Sequence, residues 1–269
     1  MDSKNLSLEG LIFETVKLSV ENHIMHIVLN RPEKKNAINP IMANEINFSL
    51  AFAAQEHDIR VVIISATGDV FCAGGDLSSM SGHSSSSRSN VPLLGGGTEE
   101  ISIRIKNLNK PVVCKIQGPV LAGALLLITN ATHAIAAEEA TFSAPEIKRG
   151  IWPFMVMAGL FRVMPKRQGL DFIMRGNKID CYDAEKFGLV NKVVKKEELD
   201  SEVDNIASEL SKLAPNTMKL GLEAFNYQDK MDFDEAIPYL KDQLEKCLKS
   251  DDAQEGIKAF LEKRDPEWK

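Results

Sequence analysis

One short segment constrains the fold more than any other. Residues 61–66, with the sequence Val-Val-Ile-Ile-Ser-Ala, form an almost uninterrupted apolar run that is rich in β-branched side chains. A run without polar alternation is typical of a strand that is buried on both faces. Such a strand needs structure packed above and below it. The segment therefore predicts a parallel or mixed sheet whose crossover helices lie against it.

Other segments continue this alternation of strands and helices. Apolar runs predict strands at residues 24–29, 112–116, 134–137 and 189–194, and helical spacing predicts a helix at residues 40–54. Strands that alternate with helices in this way are typical of an α/β fold. We therefore predict an α/β core over residues 1–195.

The pattern changes after residue 195. Apolar residues recur at three- and four-residue steps from Leu199 to Leu213, which defines one face of a helix. Further helical patterns begin at residues 216, 232 and 251. Residues 196–269 are therefore predicted to form a helical C-terminal region. Because these apolar faces have no strands to cover, we expect the region to mediate oligomerisation.

Composition excludes several classes of function. The net charge of −6 disfavours a nucleic-acid-binding protein, which usually carries a basic surface. No apolar run reaches the roughly 20 residues that a membrane-spanning helix needs, and residues 1–10 lack the apolar segment of a signal peptide. These features predict a soluble, cytoplasmic protein that binds neither nucleic acid nor membranes.

The cysteines and histidines also argue against a metal site. Cys72, Cys114, Cys181 and Cys247 lie far apart without a paired motif, which favours reduced thiols over a zinc site or a disulfide framework. His23 and His26 are three residues apart, and in a strand this spacing would place them on opposite faces. We therefore expect no metal.

One segment has low sequence complexity. Residues 81–90 are mostly serine, and three consecutive glycines follow at residues 95–97. Such a composition cannot offset its ordering entropy by burial, so the segment is predicted to be a mobile loop. A tolerated surface insertion is the favoured interpretation, and a lid over a binding site is the alternative.

Two glycine-bearing turns each follow a predicted strand and begin a helix. The first spans residues 71–77 and contains Gly74, Gly75 and Asp76, the last of which can cap the following helix. The second spans residues 117–124 and contains Gly123. Backbone N–H groups at a helix start lack helical partners and can bind negative charge. Two of them aimed at one point would form an oxyanion hole, although either turn alone is a weak signal.

The order of several motifs is more specific than any one of them. The motifs are Leu29-Asn30-Arg31-Pro32 with Asn36-Ala37, Phe71-Cys72-Ala73-Gly74-Gly75-Asp76, Lys110-Pro111-Val112-Val113, Gln117-Gly118 to Gly123, Phe142-Ser143-Ala144-Pro145-Glu146-Ile147, Ala184 to Val190, and Glu255 to Arg264. In this order they resemble the crotonase superfamily, which contains the enoyl-CoA hydratases and isomerases, and the resemblance covers nearly the whole chain.

The resemblance implies a fold of repeated ββα units with a helical C-terminal region that forms trimers, often paired into hexamers. It implies an acyl-CoA thioester as substrate, with coenzyme A entering as part of the substrate and no separate cofactor. The family's oxyanion donors match the backbone N–H groups of Gly75 and Gly123. Its CoA groove matches Asn36, Ala37 and Ala73, together with Phe260 and Lys263, which can come from a neighbouring subunit.

The sequence departs from the hydratase pattern at one catalytic position. Family hydratases use two glutamates, because a water must be activated while a proton is delivered to C2. Here Leu126 occupies the first position, and only Glu146 remains. A single carboxylate can move one proton from C2 to C4, as in the superfamily's enoyl-CoA isomerases. With Leu126 and Trp152 predicted to line the acyl pocket, desolvation should raise the pKa of Glu146.

Three functions therefore stay open. Double-bond isomerisation by Glu146 is favoured. A hydratase would need a substitute acid, for which Glu99 and Glu100 are the candidates. The bulky stretch from Trp152 to Met157 could instead fill the acyl pocket, which would leave an acyl-CoA-binding oligomer without catalytic activity.

Overall fold

The structure is a computed structural model that describes residues 6–80 and 87–268. Part of the serine-rich segment, residues 81–86, lies outside the described residues. The strands are β1 (Val16–Glu21), β2 (Ile24–Leu29), β3 (Val61–Ala66), β4 (Val112–Ile116), β5 (Val120–Leu121), β6 (His133–Ala137), β7 (Thr141–Ser143), β8 (Ile179–Asp180) and β9 (Lys192–Val194). The helices are α1 (Pro40–Gln55), α2 (Leu77–Met80), α3 (Thr98–Asn107), α4 (Leu125–Ile128), α5 (Phe154–Val163), α6 (Lys166–Arg175), α7 (Cys181–Lys186), α8 (Leu199–Ser211), α9 (Pro215–Gln228), α10 (Phe233–Leu248) and α11 (Asp251–Glu262).

The strands form two sheets. The larger has the order β1-β2-β3-β4-β6-β9, and the smaller has the order β5-β7-β8. In the larger sheet only β1 pairs antiparallel with its neighbour, and the other strands pair in parallel. The predicted mixed α/β architecture is therefore confirmed.

The central strand β3 is buried on both faces, as its sequence predicts. Val62 and Ile64 enter the main core, which also includes residues of α1, α3 and α4. Val61 and Ile63 point to the other face, where they pack with residues of α8. Helices therefore cover the sheet on both sides, and the β-branched run lies between them.

Helix α8 belongs to the α/β core by its packing. It contacts β3, β4 and β6, and its buried residues include Leu199 and Val203. The boundary predicted at residue 195 stays a prediction, and the helical conformation predicted after it includes a helix that packs on the sheet. The apolar stripe that predicted α8 covers the sheet of its own chain.

Two local predictions are corrected. His23 does not lie in a strand: it forms the two-residue turn between β1 and β2 with Asn22, and both have positive φ, 51° and 67°. The last strand begins at Lys192, not at Leu189, because the buried Leu189 and Val190 pack against the core within a turn. In the second case the apolar pattern begins before the first residue of the strand.

A carboxylate from α11 caps α9. The buried Asp252 accepts hydrogen bonds from the backbone N–H groups of Asn216 and Thr217 at 2.8 and 3.0 Å. The helix's own N-cap residue, Ala214, has no side-chain acceptor. Asp252 therefore joins the last helix to the start of α9.

Replacing Asp252 with alanine is expected to lower the free energy of unfolding by about 1–2 kcal/mol, because two helix-start donors lose their acceptor. Denaturant-induced unfolding measures this change. Asp251→Ala is the matched control, since Asp251 is the exposed neighbour, and it should change stability by less than about 0.5 kcal/mol. Equal effects of the two substitutions would contradict the cap.

Candidate active site

The first glycine turn is joined to an earlier loop by a parallel bridge. The Ile38 N–H donates to the Gly74 carbonyl at 2.7 Å, and the Asp76 N–H donates to the Ile38 carbonyl at 2.9 Å. In such a bridge the intervening residue directs its own N–H and C=O to the other side. The amide of Gly75 therefore faces away from Ile38.

The second glycine turn lies beside this amide. A Cβ built on Gly123 would lie 3.7 Å from the Gly75 nitrogen, and one built on Gly74 would lie 3.0 Å from the Gly123 nitrogen. A second bridge, between Cys72 and Val120, joins the segments that lead into the two turns. Within residues 6–80 and 87–268, neither amide donates a backbone hydrogen bond. Both N–H groups are therefore free to donate hydrogen bonds to a negatively charged oxygen.

An ion pair braces the first turn. The Arg31 guanidinium contacts the Asp76 carboxylate at 3.2 Å and also donates to the Ala37 carbonyl. The hydrogen bond from the Ser78 hydroxyl, together with Arg31, lowers the pKa of Asp76 below its ordinary value. Asp76 also accepts from the Ser78 N–H at 3.1 Å, which confirms its predicted capping role at α2. Sequence reasoning did not identify the Arg31–Asp76 pair, although both residues stand in the recognised motifs.

Glu146 lies in a 3-10 turn, Pro145–Arg149, directly after β7 and Ala144. Its Oε2 atom is shielded from solvent and has no hydrogen-bond partner among the described residues. Burial raises the pKa of this carboxyl, and a hydrogen bond from its own backbone and the nearby Arg149 only partly oppose that effect. A carboxyl with an unpartnered oxygen and a raised pKa is suited to exchange a proton with a ligand.

Leu126 and Glu146 follow neighbouring strands. β5 and β7 pair in parallel, with Val120 opposite Phe142 and Leu121 opposite Ser143. Because parallel strands end at the same edge, the turn at Gly123, α4 and the turn of Glu146 all begin at one edge of the smaller sheet. Leu126 lies in α4 and is 3% exposed. It can exclude water but cannot carry a proton.

Trp152 follows the Glu146 turn and is partly buried against the main core. Its indole N–H donates to the sulfur of Met157 at 3.3 Å. Met157 also packs against the main core, to which Leu126 belongs. The surroundings of Trp152 and Met157 are therefore apolar.

The loop predicted to contact CoA has a rigid interior. Asn36 is fully buried, and its side chain donates to the carbonyls of Thr67 and Val70 at 2.8 and 2.9 Å. Asn36 therefore joins the interior of this loop to the backbone at Thr67 and Val70. Ala37 and Ala73 are partly exposed and present the surface of this loop.

The two C-terminal residues of the predicted CoA groove lie apart from this loop. Phe260 and Lys263 are at the end of α11, which packs against α9 and α10. Phe260 is 81% exposed. Within the described chain, the structure does not bring these residues to the glycine turns.

The two glutamates considered as substitute acids, Glu99 and Glu100, both bind groups in or next to α3. Glu99 accepts from the Gly97 N–H at 2.9 Å, and Glu100 forms an ion pair with Arg104 at 2.9 Å. Both lie in the first turn of α3. Neither has a shielded, unpartnered oxygen of the kind that Glu146 has.

No group of three or more metal-ligating side chains occurs in the described parts of the chain. No helix in those parts is both long enough and apolar enough to span a membrane. The described cysteines are free, and burial raises the pKa values of Cys72 and Cys114 to about 12. These two buried thiols are therefore protonated at neutral pH.

Comparison with known proteins shows extensive similarity. The family described as Enoyl-CoA hydratase/isomerase matches residues 19–269. A relative named mevalonyl-coenzyme A hydratase sidH, from Aspergillus fumigatus, is 31% identical over 256 residues, which cover 92% of each chain. Enoyl-CoA hydratase domain-containing protein 3, mitochondrial, from Rattus norvegicus, is 29% identical over 248 residues, which cover 92% of this chain and 82% of that protein.

A solved structure confirms the expected fold. The crystal structure of human enoyl-CoA hydratase domain-containing protein 3 matches 95% of this chain and 100% of its own chain, with a TM-score of 0.86 and 26% identity. The match includes the helical C-terminal region, because almost the entire chain is covered.

The expected cytoplasmic location is wrong by this comparison, since the rat relative is named as mitochondrial. The prediction of the cytoplasm rested on the lack of a membrane-spanning apolar run and of an apolar signal-peptide segment in residues 1–10. These two features do not distinguish one compartment inside the cell from another.

Proposed function

Because the chain belongs to the enoyl-CoA hydratase/isomerase family, we propose that it is an enzyme that moves the double bond of an enoyl-CoA thioester. Glu146 is the only proton carrier in this proposal. The observation that carries it is the unpartnered, shielded Oε2 atom of Glu146 at an edge where Leu126 replaces a second carboxylate. One proton carrier is sufficient for isomerisation and insufficient for hydration.

The proposed reaction conserves atoms and charge. The Glu146 carboxylate removes a proton from C2 of a 3-enoyl thioester, and the C–H electron pair passes into the C1–C2 bond while charge develops on the thioester oxygen. The N–H groups of Gly75 and Gly123 donate to that oxygen. Glu146 then returns the proton to C4, and the double bond lies between C2 and C3. No oxidant, reductant or metal is required.

Hydration is the competing function, and the names of the relatives favour it. Two of the similar proteins are named as hydratases or as hydratase-domain proteins. A hydratase needs a second group to activate water. Glu99 and Glu100 would have to leave the partners that they have in the structure to supply it.

A paired assay tests the proposal. The purified protein is incubated separately with a 3-enoyl-CoA and a 2-enoyl-CoA of the same chain length, and the products are separated by chromatography. We expect the 3-enoyl substrate to give 2-enoyl-CoA without 3-hydroxyacyl-CoA. Formation of 3-hydroxyacyl-CoA from the 2-enoyl substrate would contradict the isomerase proposal and identify the protein as a hydratase. Binding without turnover of either substrate would indicate a non-catalytic acyl-CoA-binding protein.

The rate of the reaction should depend on the protonation of Glu146. The base is active as the carboxylate, and burial raises its pKa. We therefore expect kcat/KM to fall as the pH decreases through a value above the ordinary pKa of glutamate, and to be constant above it. A pH profile of kcat/KM measures this limb. A limb at or below the ordinary glutamate pKa would contradict a desolvated base.

The C-terminal helices are proposed to join subunits, and Phe260 and Lys263 are proposed to reach the CoA group of a neighbouring subunit. Helix α10 exposes Phe233, Ile237 and Leu244, which are 76%, 52% and 57% exposed. Isolated chains rarely leave such a face in solvent. Light scattering after size-exclusion chromatography is expected to give three or six times the chain mass of 29.7 kDa. A mass of one chain would contradict this arrangement.

A further inference from the structure

The chain that follows Glu146 returns directly to its turn. The Ile151 N–H donates to the Glu146 carbonyl at 3.1 Å, which closes a loop of backbone around the Pro145–Arg149 turn. Trp152 is the next residue. The side chain of Trp152 is therefore attached to the backbone next to the turn that contains Glu146.

Helix α5, which starts two residues later, is held against the glycine turn. It contacts both α4 and the segment Ala122–Ala124 that contains Gly123. The helix approaches closely at Gly159, where the side chains of Thr129 and Asn130 leave no room for a Cβ. α5 therefore cannot move away from α4 without losing this fit.

Trp152 and Met157 form a pair at the start of this helix. A buried indole N–H usually has a hydrogen-bond partner, and here the partner is the Met157 sulfur at 3.3 Å. Met157 is flexible and fills irregular space in cores. The indole N–H therefore has its partner within the chain and needs no water molecule to satisfy it.

We propose that Trp152 and Met157 close the far end of the acyl pocket, so that this chain selects thioesters with short acyl groups. The proposal rests on the proposed function, because it assigns the substrate class of the same site. Leu126 and Glu146 define where the acyl group reacts. The Trp152–Met157 pair defines how far the acyl group can extend.

The energetic reason is the displacement of the indole. An acyl chain that passes the pair must push Trp152 aside and separate its N–H from the Met157 sulfur. The N–H would then lie unpaired in apolar surroundings. One methylene that does not fit an apolar pocket changes discrimination by about 10- to 200-fold.

Binding of saturated acyl-CoA thioesters tests the proposal without requiring turnover. Calorimetry compares acetyl-, butyryl-, hexanoyl-, octanoyl- and decanoyl-CoA, which have no double bond to move. For the unmodified protein, affinity should rise with the first methylenes and then fall by at least about tenfold. In Trp152→Ala the fall should disappear or move to longer chains, while the affinity for acetyl-CoA stays within a few fold.

The chain offers a matched control in Trp268, its other tryptophan. Trp268 lies in the C-terminal tail, where its indole N–H donates to the Lys212 carbonyl at 2.7 Å. Trp268→Ala should therefore keep the chain-length profile of the unmodified protein. Trp152→Phe is a milder variant in case the alanine variant does not fold, and it should shift the limit by a smaller number of carbons.

The possible results separate the two proposals. If no thioester of any length binds to the unmodified protein, the proposed function is wrong. If all lengths bind with equal or steadily rising affinity, the chain is an acyl-CoA protein but Trp152 and Met157 do not limit the pocket. An unchanged profile in both Trp152 variants would also overturn the inference. A fall in affinity that only the Trp152 variants relieve would support it.

Discussion

Glu146→Gln is expected to lower kcat by about 10²- to 10⁴-fold, the range contributed by a single general acid–base group. Glutamine has nearly the same size but cannot accept the proton from C2. The affinity for a saturated acyl-CoA should change by only a few fold, because the backbone donors of Gly75 and Gly123 remain. Steady-state turnover of a 3-enoyl-CoA and calorimetry with its saturated analogue give the two quantities.

Stability provides an independent check of this variant. Burial raises the pKa of Glu146 in the folded protein, so ionised Glu146 destabilises the fold at neutral pH. The glutamine variant should therefore be at least as stable as the unmodified protein at pH 7. The difference should vanish when the pH falls below the ordinary glutamate pKa, where both forms are neutral.

Glu139→Gln is the matched control for Glu146→Gln. Glu139 is exposed in the turn between β6 and β7, and its replacement should leave turnover unchanged. Retention of normal kcat by the Glu146 variant would remove Glu146 from the mechanism. An equal loss in both variants would point to a general effect of charge on the fold.

Gly74→Ala is expected to lower kcat by about 10²- to 10³-fold, the cost of losing one oxyanion donor. A Cβ at this position would lie 2.8 Å from the Ala122 Cβ, 2.9 Å from the Leu121 carbonyl oxygen and 3.0 Å from the Gly123 nitrogen. Two of these three atoms belong to the backbone of the second glycine turn, so that backbone must move to make room for the Cβ. The two glycine turns should therefore separate, and with them the amides of Gly75 and Gly123, which are the donors of the proposed oxyanion hole.

Backbone strain must be distinguished from this displacement. Gly74 has a φ of +87°, and any L-residue there costs about 1–2 kcal/mol. Gly10→Ala is the control, because Gly10 has a similar φ of +71° and no atom within 4 Å of its built Cβ. Both variants should lose stability in denaturant, but only Gly74→Ala should lose turnover. Full activity of a folded Gly74 variant would show that the spacing of the two turns does not matter.

Local patterns predicted some elements with their observed bounds. The strands at residues 24–29, 61–66 and 112–116 begin and end as expected, because each is a predominantly apolar segment of the larger sheet. β5, β7 and β8 were not predicted. They contain two or three residues each and exist only through pairing with one another, which no short pattern encodes.

The candidate site also contains features that local sequence predicts and features that it does not. The sequence could identify the glycine turns and Glu146, because motif order and residue type define them. It could not place Asn36 inside the loop or pair Arg31 with Asp76, since both features depend on contacts across 31 to 45 residues. For a related reason the sequence could not show that α8 packs on the sheet, because an apolar helix face does not specify which surface it covers.

The sequence by itself determined that β3 is buried on both faces, that two glycine turns open helices, and that Leu126 leaves Glu146 as the only carboxylate of its pattern. Only the tertiary structure decided that the amides of Gly75 and Gly123 lie side by side and that Glu146 keeps a shielded oxygen without a partner. Residue type and local spacing specify backbone conformation and burial within a segment. Distances between segments, and the solvation of a carboxyl, depend on how the whole chain packs.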